Sequence, residues 1–342
     1  MEQNLTQDDA QYCGSVFRTE AWVQAWIDTW GNDPRIQLID LGGKKNPLEH
    51  VYITQNRLKK IIPVKTLCLA GIGCASVSSP RAEYNDFSAL LSLTGGVKEF
   101  HAAISGLAWQ QFYVPDILQH SKAEQNIHGL AQQPTLMLHK QNLEPAYAVQ
   151  AQGFDDYLAQ LGSNTRLSYF NRRKNLAQQG GIHFEYYDIE NIDQAFFLLN
   201  HFHCQRWGRP CYSQDSQKFM KIFCERLTAQ GGSFILQSMH VNGEAVSILF
   251  DVIWQSTRYN FQSGYAENKY PKIALGAVHM GYAIEQAIAN QQIYDFMAGT
   301  GKNSDYKKRI ATRTQVIACH TIERSYLKAL RRAQGYLNKR PI

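Results

Sequence analysis

Apolar positions along the chain repeat with two periods, and the alternation between them outlines a mixed protein. In "TEAWVQAWIDTW", Trp22, Trp26 and Trp30 recur every four residues, which puts them on one face of a helix and predicts core packing. Runs of strand character follow at "IQLIDL", "IIPVKTLCLA", "QFYVPDIL" and "PTLMLHK", separated by a helix near "VKEFHAAISGLAW" and by the polar loop "SSPRAEYNDFS". The stretch 142–153, "NLEPAYAVQAQG", combines proline, glycine and small residues and reads as a domain boundary.

Beyond it the pattern predicts one helix from about Asp155 to Gln179, closed by Gly180-Gly181, and a strand "IHFEYYDI". Helices around "IDQAFFLLNHFHCQRWG" and "SQKFMKIFCERLTAQ" come next, then strands "SFILQSMHV", "AVSILFDVIW" and "RYNFQSGYA". Asn242-Gly243 marks a tight hairpin between the first two. The loop "ENKYPK" leads to the helix "IALGAVHMGYAIEQAIANQ", with Ala277, Gly281, Ile284 and Ile288 on one stripe, and that helix feeds the strand "IYDFMAG". The expected class is α/β, in the α+β sense of central mixed sheets flanked by helices.

With 342 residues and 44% hydrophobic content, the chain has room for two domains, expected at 1–150 and 151–325 with a basic tail at 326–342. Charge divides unevenly. Residues 1–150 carry 12 Lys and Arg against 14 Asp and Glu, whereas residues 151–342 carry 23 against 15, so an anion-seeking surface is expected in the second half. The polar, acidic opening and the lack of an apolar run of about 18 residues predict neither export nor membrane spanning. Seven scattered cysteines without C-x-x-C spacing predict reduced thiols in a cytoplasm.

The chemistry concentrates in "YDFMAGTGKNSDYKKR". Tyr306 and Lys307 follow a glycine-rich turn, and both are proton donors at neutral pH; the alternative is a surface loop with a packed tyrosine and solvated lysines. Asp295 reads equally as a general base or as a cap for that loop. Asp251, inside "SILFDVIW", faces either solvent or a cleft. His201, His203 and Cys204 fall on different helical faces, so no metal site is expected there or elsewhere. Arg166, Arg173 and Lys174, interleaved with Tyr169 and Phe170, read as an anion-binding face or as a solvated one. Arg324, Lys328 and Arg331 form a cationic stripe on a C-terminal helix, read as solvated.

Four stretches, "FDDYLAQLGSNTRLSYFNRRKNLAQQGGIHFE", "VNGEAVSILFDVIWQSTRYNFQSGYAENKY", the helix after them and "YDFMAGTGKNSDYKKRI", together resemble the GNAT acyltransferases. The order and spacing are similar to the two-lobed branch of cellulose-biosynthesis-type acetyltransferases and Fem-type peptidoglycan bridge ligases. "SPRAEYNDFSALLSL" resembles a loop of that branch's N-terminal lobe. The resemblance implies two GNAT-like lobes in tandem, the first on the acceptor side. It implies acyl-CoA, acetyl-CoA foremost, as co-substrate, held by Gly264, Tyr265, Lys269, Lys272, Ala274 and Leu275. Tyr306, Lys307 and Asp295 would serve the reaction, and Tyr84, Asp86, Arg166, Arg173 and Gln262 the acceptor.

That acceptor would be polar, such as a sugar or cell-envelope precursor. An aminoacyl-tRNA-dependent Fem-type ligase, or a catalytically degenerate GNAT scaffold binding nucleic acid or protein, are the alternatives. One departure stands out: the branch offers a Pro-Gly pair where phosphate approaches, and this chain has Pro271 followed by Lys272-Ile273. A bulky Ile273 is expected to narrow the approach, with Lys269 and Lys272 supplying charge instead.

Overall fold

The computed structural model describes residues 14–43, 46–58, 61–299 and 305–327. In chain order the elements are α1 (Glu20–Trp30), β1 (Ile36–Asp40), β2 (His50–Leu58), β3 (Ile62–Leu69), α2 (Ser88–Thr94), α3 (Val97–Ser105), β4 (Gln111–Leu118), α4 (Lys122–Ala131) and β5 (Leu136–Val149). They continue as α5 (Phe154–Gln160), α6 (Ser163–Arg166), α7 (Arg173–Ala177), β6 (Ile182–Tyr187), α8 (Ile192–Trp207), α9 (Gln214–Ala229), β7 (Ser233–Val241), β8 (Glu244–Trp254) and β9 (Thr257–Tyr265). The last are α10 (Leu275–Ala289), β10 (Ile293–Ala298), α11 (Asp305–Ile310) and β11 (Arg313–Arg324). The class is mixed α/β, with a large mixed sheet flanked by helices. The chain separates into two compact units, one of residues up to 144 together with those from 316 onward, the other of 145–315. The division after residue 144 falls inside the stretch 142–153 read as a domain boundary, and much of that stretch is strand β5.

In the first unit, β1, β2 and β3 form an antiparallel meander, β4 lies parallel to β3, and β11 runs antiparallel to β4. Helix α1 starts where Thr19 accepts the Trp22 N–H, and its tryptophans are core residues, with Trp26 stacked on Tyr52 at 4.8 Å. The pattern did not reveal β2, because Val51, Tyr52, Ile53 and Thr54 are all buried and leave no alternation to read. The C-terminal helix expected around Arg324 is instead the end of strand β11. The Arg324 guanidinium donates to the Trp109 carbonyl at 3.0 Å and lies over that ring, while Lys328 and Arg331 fall outside the described residues.

In the second unit the strand order is β5-β10-β9-β8-β7-β6, antiparallel except for β9 beside β10. Asn242 and Gly243 both take positive φ, 54° and 77°, and turn β7 into β8 as the dipeptide predicts. The single helix expected over 155–179 is broken. After α5 the chain resumes as α6, widens into a π-turn at Leu167–Asn171 and ends as α7. Its crossing with α10 is close enough that a Cβ on Gly281 would sit 2.2 Å from the Tyr169 carbonyl oxygen, so only glycine fits there. Among the described residues no helix is long and apolar enough to cross a membrane.

Candidate functional site

Strands β9 and β10 are paired through Ile293 to Thr257, Tyr294 to Arg258 and Asp295 to Tyr259, and then part. Beyond that point, among the described residues, β9 continues to Tyr265 paired with β8 alone, while β10 bulges at Met297, whose φ is 61°. A buried polar network fixes the place of parting. Arg258 Nε donates to Asp251 Oδ2 at 2.7 Å, Asn260 to Oδ1 at 2.7 Å, the Tyr294 hydroxyl reaches the same carboxylate at 3.3 Å, and Arg258 Nη1 reaches Gln286 of α10 at 3.0 Å. Asp251 therefore faces neither solvent nor a cleft: like Arg258 it is fully buried, and its cost is offset by a full set of partners.

Where the strands part, a cavity of about 490 Å³ opens, walled by the free edge of β9, the start of α10, the end of α8 and α11. Among the described residues none that lines it is an aspartate or glutamate. Ala274 is the N-cap of α10 and offers no side-chain acceptor, so the first-turn N–H groups keep their positive end of the helix dipole for an incoming group. Gly276 faces Tyr265 so closely that a Cβ would stand 2.6 Å from the ring. Gly264, Tyr265, Ala274 and Gln262 all line the cavity, whereas Leu275 is buried in the adjoining apolar cluster.

The loop before α10 keeps a glycine-like backbone without glycine. Lys272 has φ 65°, and its carbonyl accepts from the Arg172 guanidinium. Ile273 does not narrow the cavity; it packs into the cluster of Leu176, Val246 and Leu275. Lys269 is paired with Glu244 and does not line the cavity.

From α11, Tyr306 and Lys307 line the cavity with Gly299, while Gly301 lies outside the described residues. Burial pushes the Tyr306 phenol up to about 12, so it holds its proton through neutral pH. Lys307 Nζ donates to the carbonyls of Phe296, Met297 and Ala298 at 2.7, 3.2 and 3.1 Å, which clamps the bulged end of β10. Asp295 is fully buried and does not line the cavity, and its Oδ1 takes the Met297 N–H at 2.6 Å, the capping side of its two readings.

The expected acceptor residues are dispersed. Arg173 stacks 3.7 Å from the Tyr282 ring and pairs with Glu285, and Arg166 donates to the Leu158 carbonyl at 3.2 Å, so both brace helices. Tyr84 is buried, and Asp86 accepts the Ser88 N–H at 2.8 Å at the start of α2.

The end of α8 supplies what the sequence reading passed over. His203 Nε2 meets the Ser263 carbonyl at 3.1 Å, and burial lowers its imidazole below the ordinary value. Arg206 pairs with Glu267 at 2.8 Å and lies against Trp207 and Tyr265, at 4.7 and 4.8 Å from their ring centres. The available signal was His203, Arg206 and Trp207 crowded into one helical turn before Gly208. Among the described residues no group of His, Cys, Asp and Glu is arranged to hold a metal ion.

Residues 163–308 match the family described as an acetyltransferase (GNAT) domain. No curated protein matches the chain. Among solved structures it is similar to a conserved protein of unknown function from Bacteroides thetaiotaomicron, at TM-score 0.52 and 9% identity over 91% of this chain and 92% of that one. It is also similar to the C-terminal domain of a putative lysylphosphatidylglycerol synthetase from Agrobacterium fabrum, at 0.51 and 9% over 96% of each, and to FemX, at 0.50 and 13% over 89% and 95%. At such identities the structural likeness is one of fold. Taken with the parted strands and the uncapped helix, the family match makes residues 163–308 a GNAT-fold, acyltransferase-like domain.

Proposed function

We propose that this chain is an acyl-CoA-dependent acyltransferase, of the two-lobed GNAT branch, acting on a polar acceptor. The observation that carries the reading is the cavity at the parting of β9 and β10, onto which the uncapped start of α10 opens with no carboxylate among the described lining residues. Its residues suit coenzyme A: phosphate oxygens fit the first-turn N–H groups of α10, and an amide-bearing arm fits the free edge of β9 as an added strand. Bound acyl-CoA would supply an activated acyl carbon. The protein's own groups then hold and orient it, with the Tyr306 phenol positioned to protonate a departing sulfur and Lys307 keeping the end of β10 in place.

Acetyl is the first acyl group to test, and a sugar or cell-envelope precursor the first acceptor. The cysteines Cys68, Cys74, Cys204, Cys211, Cys224 and Cys319 are free, which accords with a reducing, cytoplasmic setting. Arg166 and Arg173, expected to contact an anionic acceptor or a tRNA backbone, brace helices instead, which counts equally against them as acceptor contacts in either reading. Calorimetry with acetyl-, octanoyl- and palmitoyl-CoA tests the proposal. Binding of one of them, lost when free CoA competes, supports it, and binding of none ends it.

A further inference from the structure

Acyl transfer requires a group that accepts the proton of the incoming nucleophile, and the cavity offers few. Asp295 lies inside β10 on the Met297 N–H, and among the described lining residues no carboxylate takes its place. Arg206 is a cation, Lys307 holds three carbonyls, and Tyr306 keeps its proton. The lining side chain that retains a basic lone pair near neutral pH is His203. Because a carbonyl only accepts, the 3.1 Å contact to Ser263 assigns hydrogen to Nε2 and leaves the lone pair on Nδ1.

From this geometry we propose that His203 is the general base of the acyl transfer, accepting the acceptor's proton at Nδ1. The proposal rests on the acyl-CoA reading. As the acceptor nitrogen or oxygen bonds the acyl carbon, its proton passes to His203. The carbon–sulfur bond breaks with its electron pair on sulfur, the thiolate takes the Tyr306 proton, and the proton on His203 returns to the Tyr306 phenolate through solvent.

The groups lining the cavity with His203 are Arg206 on its own helix, Tyr169 from the π-turn, Gln262 and Tyr265 from β9 with Glu267 just beyond, and Tyr306 and Lys307 from α11. Burial is the largest influence on the imidazole and lowers it; the Ser263 carbonyl and Gln262 oppose this, and Arg206 adds to it. The net lowering keeps His203 neutral, and so able to accept a proton, at neutral pH.

The test has two readouts. Nitrogen NMR of histidine-labelled protein from pH 5 to 8, with His203 assigned by its loss in His203→Gln, should show the Nε2–H tautomer and a midpoint below about 6.5. A midpoint at or above that value, or hydrogen on Nδ1, overturns the proposal. Cleavage of acetyl-CoA with water as nucleophile, followed by thiol release, should fall on the order of 100-fold in His203→Gln and His203→Asn, with acetyl-CoA affinity nearly unchanged. Equal cleavage in variant and wild type overturns it, as does wild-type cleavage no faster than in buffer while acetyl-CoA binds. If acetyl-CoA fails to bind wild type, cleavage is read with the longer acyl-CoA that binds; binding of none ends the acyl-CoA reading and this proposal with it, whereas binding without His203-dependent cleavage overturns this proposal alone.

Discussion

The two units each contain a parallel pair of strands that part after three paired residues, yet their clefts have opposite electrical character. In the 145–315 unit, β9 and β10 part over a cavity with no carboxylate among its described lining residues and beside an uncapped helix. In the other unit, β3 and β4 pair through Thr66 to Gln111, Leu67 to Phe112 and Cys68 to Tyr113, and a cavity of about 460 Å³ opens there too. That cavity is lined by Arg81, Asp116 and Glu144, with the Arg81 guanidinium donating to both carboxylates at 2.7 to 2.8 Å, and at the start of α2 the Asp86 carboxylate accepts the Ser88 N–H. One backbone plan thus makes two clefts, and side chains decide which can receive an anion. In the first unit the Arg81 donors are answered by carboxylates; in the second Lys307 and Arg206 are paired too, and it is the first turn of α10 that has no side-chain cap.

The largest expected difference lies beneath the two partings. Under β9 and β10 the tie is charged and fully buried, Asp251 to Arg258, whereas under β3 and β4 it is the neutral bond from Gln111 to Thr66 at 2.7 Å. Asp251→Ala leaves Arg258 buried without its counter-charge and should destabilise the protein by about 3–5 kcal/mol. Gln111→Ala should cost about 1 kcal/mol. Urea denaturation of both variants reads the difference, and similar losses would erase the contrast.

Converting one cleft toward the other is the next largest effect. Ala274→Asp places a carboxylate at the N-cap of α10, as Asp86 does at the start of α2. Acyl-CoA affinity should fall on the order of 100-fold, because the new carboxylate takes the N–H groups and repels phosphate, while stability rises by about 0.5–1 kcal/mol. Calorimetry and thermal unfolding measure the two quantities. Unchanged affinity would mean that the open helix end is not where the phosphates bind.

Much of the second unit was legible because its signals are local. Asn242-Gly243 fixed a hairpin, and strands β7 to β10 stood out between polar turns. The first unit was less readable: β2 is buried on both faces, and α2 lay hidden in what looked like a loop. At the site, Gln262, Gly264, Tyr265, Ala274, Tyr306 and Lys307 reach one cavity, because two strands and a helix of fixed order bring them there. What pattern could not convey was the occupation of each group. That Lys307 spends its ammonium on three carbonyls, that Asp295 caps a bulge and that His203 meets the Ser263 carbonyl all depend on contacts between residues distant in sequence or on a bulge that periodicity does not encode.

Acid should act on the second cleft through its wall. His279 of α10 is fully buried and donates from Nδ1 to the Ser247 hydroxyl at 3.0 Å, and that hydroxyl donates to the Gly264 carbonyl on β9. Burial, with help from Arg258, lowers its imidazole to about 3. The unfolded chain therefore takes up this proton first, near pH 6.5, so the contribution is full above that pH and is lost as pH falls toward 3. Between pH 7 and pH 5 the loss should be about 2 kcal/mol, and it should be absent in His279→Gln. Denaturation at both pH values tests this, and an equal loss in the variant would assign the acid sensitivity to other groups.

The smallest effect concerns the loop that leads into α10. Asp116, at φ 56°, lines the first cleft, and Lys272, at 65°, stands two residues before the Ala274 N-cap of α10 beside the second. An aspartate adopts this conformation more readily than a lysine, so the strain is greater at Lys272, where the Arg172 contact to its carbonyl holds the turn. Lys272→Gly relieves that strain and keeps the carbonyl, although glycine also gives the unfolded chain more freedom. The balance should be a gain of about 0.5–1 kcal/mol. Acyl-CoA affinity should change by less than about threefold, since a single exposed cation beside a phosphate contributes little in salt. A clear loss of affinity would show instead that the Lys272 side chain is itself a phosphate contact, and that the second cleft draws anions with side-chain charge as well as with its open helix end.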